Sequence, residues 1–255
     1  MSLKASGSPV RYLIVSDIHS NWEALEAVLE NARGQYDRIV CCGDLVGYGP
    51  DPNPVLDWAR ASLHAVVRGN HDRACCGLED LEWFNPVARA ATIWTIAQLS
   101  PVNFEYLCRL PAGPLVVDGF QLIHGSPLDE DEYVISATDA RNVFDYLDAN
   151  ISFFGHTHLQ CGYAQEEGYL HIMRQLDPFL AEIWHKLDRD GIYLINAGSV
   201  GQPRDGDPRA AYALFDSETL EVLQRRVPYD YEATRRKIEA AGLPDVLGSR
   251  LSIGR

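Results

Sequence analysis

The chain has 255 residues, 46% hydrophobic and 23% charged, and carries a formal net charge of −14. These are the proportions of an ordinary soluble globule; no apolar stretch is long enough to cross a bilayer, no signal peptide is visible, and so large an acidic excess disfavours nucleic acid as the main partner. Six cysteines without a Cys-x-x-Cys pair argue against a structural zinc site or a disulfide framework and place the protein in a reducing cytoplasm.

In chain order, residues 1–9 are small and polar and read as a disordered lead. Tyr12–Val15 is a strand-like apolar run that ends in Asp17-Ile18-His19. Ser20-Asn-Trp-Glu23 then forms a capping box, and Trp22, Leu25, Val28, Leu29 and Ala32 make a helical stripe closed by Gly34. The run Arg38–Cys42 leads to Gly43-Asp44, and Ala65–Val67 leads to Gly69-Asn70-His71-Asp72, where Asp72 also reads as the N-cap of a helix starting near Ala74. Gly47, Gly49 and Gly69 are read as backbone-geometry positions. Asn85-Pro86 and Ser100-Pro101 each open a helix, together a helical flap over about 78–110.

Phe120–Ile123 ends in His124-Gly125, a helix is expected over Thr138–Ala149, and Ile151–Phe154 ends in Gly155-His156-Thr157-His158. Residues 163–190 lengthen the next connection and are expected to shape substrate choice or to form a homodimer contact. Asn196-Ala-Gly-Ser and Gln202-Pro-Arg204 are loops. Ala211–Phe215 and Glu221–Val227 flank Ser217-Glu-Thr as a hairpin that would belong to a second sheet. The tail from 248 to 255 reads as disordered, and a single domain over 10–242 is the economical organisation, because the donors from Asp17 to His158 cannot belong to separate halves.

Each apolar run places its polar end at one rim of a sheet. Asp17, His19, Asp44, Asn70, His124, His156 and His158 thereby supply mixed nitrogen and oxygen donors, more than one tetrahedral ion needs and suited to two ions sharing a carboxylate. One such pair alone is more often a turn or a solvated strand end. His156 and His158 would share a face of a true strand, whereas on a loop each reaches a different metal. His64, His171 and His185 fall outside the motifs and read as structural or surface residues. Arg68 and Arg204 are the candidates for a phosphate clamp, since a guanidinium matches phosphate in a fork that lysine cannot make.

The ordered set Asp17-Ile18-His19, Gly43-Asp44, Gly69-Asn70-His71-Asp72, His124-Gly125 and Gly155-His156-Thr157-His158 resembles the calcineurin-like metallophosphoesterases, in their small bacterial branch, over positions 11–216. The resemblance implies an α/β four-layer α-β-β-α sandwich of two mixed sheets with flanking helices, with the metals at one sheet edge. It implies that Asp17, His19, Asp44 and His158 hold one divalent ion and that Asp44, Asn70, His124 and His156 hold the other. Asp44 would bridge. Such a pair polarises a phosphoryl oxygen and lowers the pKa of a bridging water. His71 would protonate the leaving alkoxide, with Asp72 orienting its other nitrogen. Manganese is favoured as the metal, and iron or zinc suits the same donors. The family-like loop carries proline where this chain has Ala197.

The implied activity is metal-dependent hydrolysis of small, nucleotide-type phosphomonoesters or phosphodiesters. Protein Ser/Thr phosphatase activity is a second reading, encouraged by the histidine of Gly-Asn-His-Asp. A catalytically silent scaffold on the same fold is the reading from another class, opposed here by every ligand position being filled.

Overall fold

In β1 (Arg11–Val15), Leu13 and Val15 pack toward helices while Tyr12 and Ile14 pack toward a second sheet, as strand alternation requires. A strand covered on both faces must be apolar throughout, which is why the run carries no polar alternation. The computed structural model describes residues 10–255, so the expected disordered lead over 1–9 lies outside the described residues.

After β1 come α1 (Trp22–Asn31), β2 (Arg38–Cys41), α2 (Pro52–Ser62), β3 (Leu63–Val66), α3 (Asn70–Cys75), α4 (Pro86–Gln98) and α5 (Pro101–Cys108). The middle of the chain forms β4 (Leu115–Val117), β5 (Phe120–Leu122), α6 (Ala137–Phe144), β6 (Ile151–Phe154), β7 (Cys161–Glu166), β8 (Tyr169–Ile172), β9 (Glu182–Lys186) and β10 (Ile192–Asn196). β11 (Ala210–Asp216), β12 (Glu221–Val227), α7 (Tyr231–Ala240), α8 (Asp245–Ser249) and a 3-10 turn at Arg250–Ile253 complete it.

The strands make two mixed six-stranded sheets, ordered β3-β2-β1-β11-β12-β9 and β4-β5-β6-β10-β7-β8. Tyr12, Ile14, Val40, Phe120, Phe153 and Phe215 fill the space between them. Leu25, Val28, Val55 and Leu56 cover the outer face of the first sheet, and Ala140, Val143 and Phe144 of α6 cover the second. This is the four-layer arrangement. Parallel pairing of β1 with β2 and of β6 with β10 brings strand ends, and the loops that follow them, to the same rim.

Several local expectations are corrected. Asn21, not Ser20, caps α1, accepting from the Ala24 amide at 3.2 Å, because Ser20 sits at φ 54 with its hydroxyl unpartnered. α6 stops at Phe144, short of Ala149. The β11–β12 hairpin belongs to no separate sheet: β11 pairs directly with β1. The tail over 248–255 is ordered, with Leu251 4% exposed among Tyr48, Ala88, Ile238 and Leu247. Residues 163–190 run from an edge hairpin of one sheet to the edge strand β9 of the other, and none of them lines the cleft described below.

Candidate metal centre

Five of the seven proposed ligands break their strands in the same way. Asp17 (φ 52), His19 (φ 49), Asp44 (φ 55), His156 (φ 65) and His158 (φ 59) all adopt the left-handed region. Each such residue costs on the order of 1 kcal/mol or more, and survives only where the surroundings over-determine it. Here the surroundings do: the amides of Asp17 and His19 donate to the carbonyls of Gly43 and Asp44, each at 3.0 Å, and the His156 amide donates to Asp17 Oδ1 at 3.1 Å. The loops leaving β1, β2 and β6 are thus tied into one knot. Gly69 makes the knot close enough, since a Cβ there would sit 2.1 Å from Asp44 Oδ1.

One donor atom from each of Asp17, His19, Asp44 and His158 falls within a set whose members all lie within 4.8 Å of one another. All four residues are buried. The second proposed set meets around Asp44 as well: His124 Nε2 lies 3.4 Å from Asp44 Oδ2 and 3.2 Å from Asn70 Oδ1, and the His124 and His156 rings are 5.0 Å apart.

The histidine tautomers follow from their partners. Nδ1 of His19, His124 and His158 donates to the carbonyls of Val46, Cys42 and Gln202 at 3.0, 2.8 and 2.6 Å. His156 instead donates from Nε2 to the Asp131 carbonyl at 3.1 Å. A carbonyl only accepts, so each of these nitrogens carries a proton, and in the neutral ring the opposite one presents a lone pair. His19 Nε2 and His158 Nε2 then face each other at 3.1 Å, and Asp17 Oδ2 is buried without a protein partner. Lone pairs aimed at lone pairs, beside an orphaned carboxylate oxygen, fit a divalent cation.

The electrostatics agree with that fit. Burial disfavours the charge on Asp17 and raises its pKa to about 7. Burial works against ionised Asp44 too, yet the facing His124 and His71 hold it well below the ordinary carboxylate range. His124, opposed by burial but drawn by Asp44, rises to about 10. Proton and carboxylate there stand in for the cation that the donors suit.

His71 occupies the wall of the cleft. Its amide donates to Asp44 Oδ1 at 2.9 Å, its ring lies 4.3 Å from Tyr48 and 5.4 Å from Phe84, and its Nδ1 is buried without a partner. Burial, with Arg204, His124 and Arg250 adding to it against Asp44, lowers its pKa to about 4. No hydrogen bond joins its ring to the Asp72 carboxylate. The Asp72 carboxylate accepts from the amides of Gly69 at 3.0 Å and Val46 at 3.2 Å, so it clamps the start of α3 to the loop after Asp44. That is nearer the capping reading, although α3 begins at Asn70 and not near Ala74.

The cleft holds roughly 330 Å³ and is lined by Asp44, Asn70, His71, His156, His158 and Arg204 among others. Arg204 reaches toward the Tyr48 hydroxyl at 3.4 Å. Arg68 faces elsewhere, donating from Nε to Glu130 at 3.0 Å, and does not line the cleft. His64, His171 and His185 lie apart, paired with Asp118, Glu166 and Gln224. The Ala197 loop is shaped by Asn196, whose side-chain amide donates to Gly155 and Thr157. Tyr48, Phe84, Tyr133 and the Asp131 carbonyl were missed from sequence. Only Tyr48 carries a local signal, being an aromatic between two glycines directly after the Gly43-Asp44 motif.

Residues 10–220 match the calcineurin-like phosphoesterase superfamily domain. The chain is 37% identical over 250 residues to an uncharacterised protein of Methanocaldococcus jannaschii, spanning 95% of this chain and 97% of that one. It is similar to the crystal structure of a metallophosphoesterase from Sphaerobacter thermophilus, with 38% identity and a TM-score of 0.85 over 97% of this chain and 100% of that one. A hypothetical protein of Pyrococcus horikoshii shares the fold at 20% identity and a TM-score of 0.77, over 96% of this chain and 99% of that one.

Proposed function

We propose that this chain, which belongs to the calcineurin-like phosphoesterase superfamily, hydrolyses small nucleotide-type phosphomonoesters or phosphodiesters with the help of two divalent metal ions. The observation that carries the reading is the convergence of Asp17, His19, Asp44 and His158 donor atoms within 4.8 Å, His158 and Asp44 also lining an open cleft with Arg204. Asp17, His19, Asp44 and His158 would hold one ion, and Asp44, Asn70, His124 and His156 the other. Bound there, the ions would supply Lewis acidity toward a phosphoryl oxygen and a water of lowered pKa. Manganese is our choice for assay, with iron and zinc as competitors.

The protein's own groups do the rest. Arg204 meets the phosphate with a fixed fork of donors. His71 is neutral near pH 7 in its buried setting, and an anionic ester entering the cleft favours its protonated form, which then donates to the leaving oxygen. Tyr48, Phe84 and Tyr133 give the cleft aromatic walls that suit a planar leaving group such as a nucleobase. The cysteines are free thiols, which fits a reducing compartment.

A panel of a phosphomonoester, a phosphodiester and a dinucleoside tetraphosphate, run with added manganese alongside metal analysis, tests the reading. We expect turnover by the wild type and loss of both metal and turnover in Asp44→Ala. A wild type that binds no metal and turns over none of the three would leave the silent scaffold as the better account.

A further inference from the structure

The ordered C-terminal turn delivers a charge to the back of the cleft. Arg250 opens the 3-10 turn, and its guanidinium lies over the Tyr48 ring, 4.8 Å from the centroid. The same ring lies 4.3 Å from His71 and 4.7 Å from His19, and Arg204 sits 5.7 Å from its centroid. One aromatic ring therefore touches two arginines, the general-acid candidate and a metal-ligand candidate.

The placement of Arg250 is over-determined. Leu251 beside it is buried in the cluster that contains Tyr48, and the Gly254 carbonyl accepts from the Gly206 amide at 3.0 Å. Gly254 lies so close to Asp207 that a Cβ would meet its backbone at 2.6 Å, and its φ of +63 suits glycine. The turn is thus clasped to the loop that carries Arg204.

Yet Nε and Nη2 of Arg250 are buried without a hydrogen-bond partner among the described residues. Arg250 is only partly buried, but two guanidinium nitrogens held out of water without partners are costly, and a ring face recovers only part of that. A charge kept at such a cost beside a catalytic cleft gains its compensation when an anion enters.

We infer that Arg250 is a positioning residue: it props Tyr48 against His71 and Arg204, and its uncompensated charge tunes the cleft toward esters presenting a phosphate dianion over monoanionic diesters. The inference rests on the phosphoesterase reading of the same cleft.

The test uses full-length, manganese-loaded protein with para-nitrophenyl phosphate, a dianion, bis(para-nitrophenyl) phosphate, a monoanion, and calorimetric binding of orthophosphate. Arg250→Gln should raise KM for the monoester roughly tenfold and weaken orthophosphate to a similar degree, with the diester KM much less affected. Arg250→Lys, which keeps the charge, should restore monoester KM to within about twofold of wild type. Equal KM changes for both esters, or no change, would overturn the inference. If Arg250→Gln fails to fold, Arg250→Met replaces it as the neutral variant, and an unchanged monoester KM there sinks the inference. A wild type that neither binds orthophosphate nor cleaves either ester would sink the phosphoesterase reading itself.

Discussion

Arg73 Nη1 donates to Glu130 Oε2 across 3.0 Å, joining the helix that carries His71 to the loop that holds His156. Both side chains are largely shielded from water, at 17% and 12% exposure, which lifts the pair above an ordinary surface contact. Arg73 also donates to Glu79 at 2.8 Å and pairs with Asp131, whose carbonyl fixes the His156 tautomer. Arg73→Ala should therefore lower affinity for the second proposed ion, at the His124–His156 side, by roughly 10- to 100-fold, the usual effect of removing such support. Titration calorimetry would show one weakened site of two. Two unaltered sites would refute the linkage.

Metal removal should destabilise the fold. A ligand that binds only the native state adds about 2.7 kcal/mol when present at a hundred times its dissociation constant, and here it would also relieve the facing nitrogens of His19 and His158. Melting with manganese, and again after exhaustive chelation, should give a clearly lower midpoint for the chelated protein. Identical midpoints would count against a bound metal.

Glycine substitutions should separate backbone preference from contact. Gly34 has φ +76 and open space around it, so Gly34→Ala should cost only about 1 kcal/mol. A Cβ at Gly69 would meet Asp44 at 2.1 Å for Oδ1 and 2.6 Å for the amide nitrogen, so Gly69→Ala must push the knot of loops apart. We expect a loss of roughly 3 kcal/mol or more, or no folded protein. Urea denaturation measures both, and equal losses would contradict the geometry.

His71 should matter most for poor leaving groups. In His71→Ala, turnover of an alkyl phosphate should fall by roughly 10²-fold or more, while an activated aryl phosphate falls far less. Equal losses would argue for a purely positioning ring, a role its contacts with Tyr48 and Phe84 would also allow.

The strand-ending motifs were legible because each is local: an apolar run, then a polar residue at the rim. β6 at Ile151–Phe154 and the helix starts at Pro86 and Pro101 fall where the pattern puts them. Asp72 was misread because its partners, the amides of Gly69 and Val46, become neighbours only when two loops meet. Arg68 looked equivalent to Arg204 by residue type, and Glu130, 62 positions away, decides otherwise.

Residue types and their order alone determined the α/β alternation, the set of donors and, through them, the family resemblance that implies two sheets, since periodicity and side-chain chemistry travel with the chain. Tertiary structure decided which nitrogen of each histidine is free, that Asp72 clamps backbone instead of His71, that the hairpin at 210–227 joins β1, and that the final turn brings Arg250 behind Tyr48. Each of these depends on contacts between distant segments. Such contacts are selected by packing and by the need to satisfy buried polar groups, and neither is visible along a single run of residues.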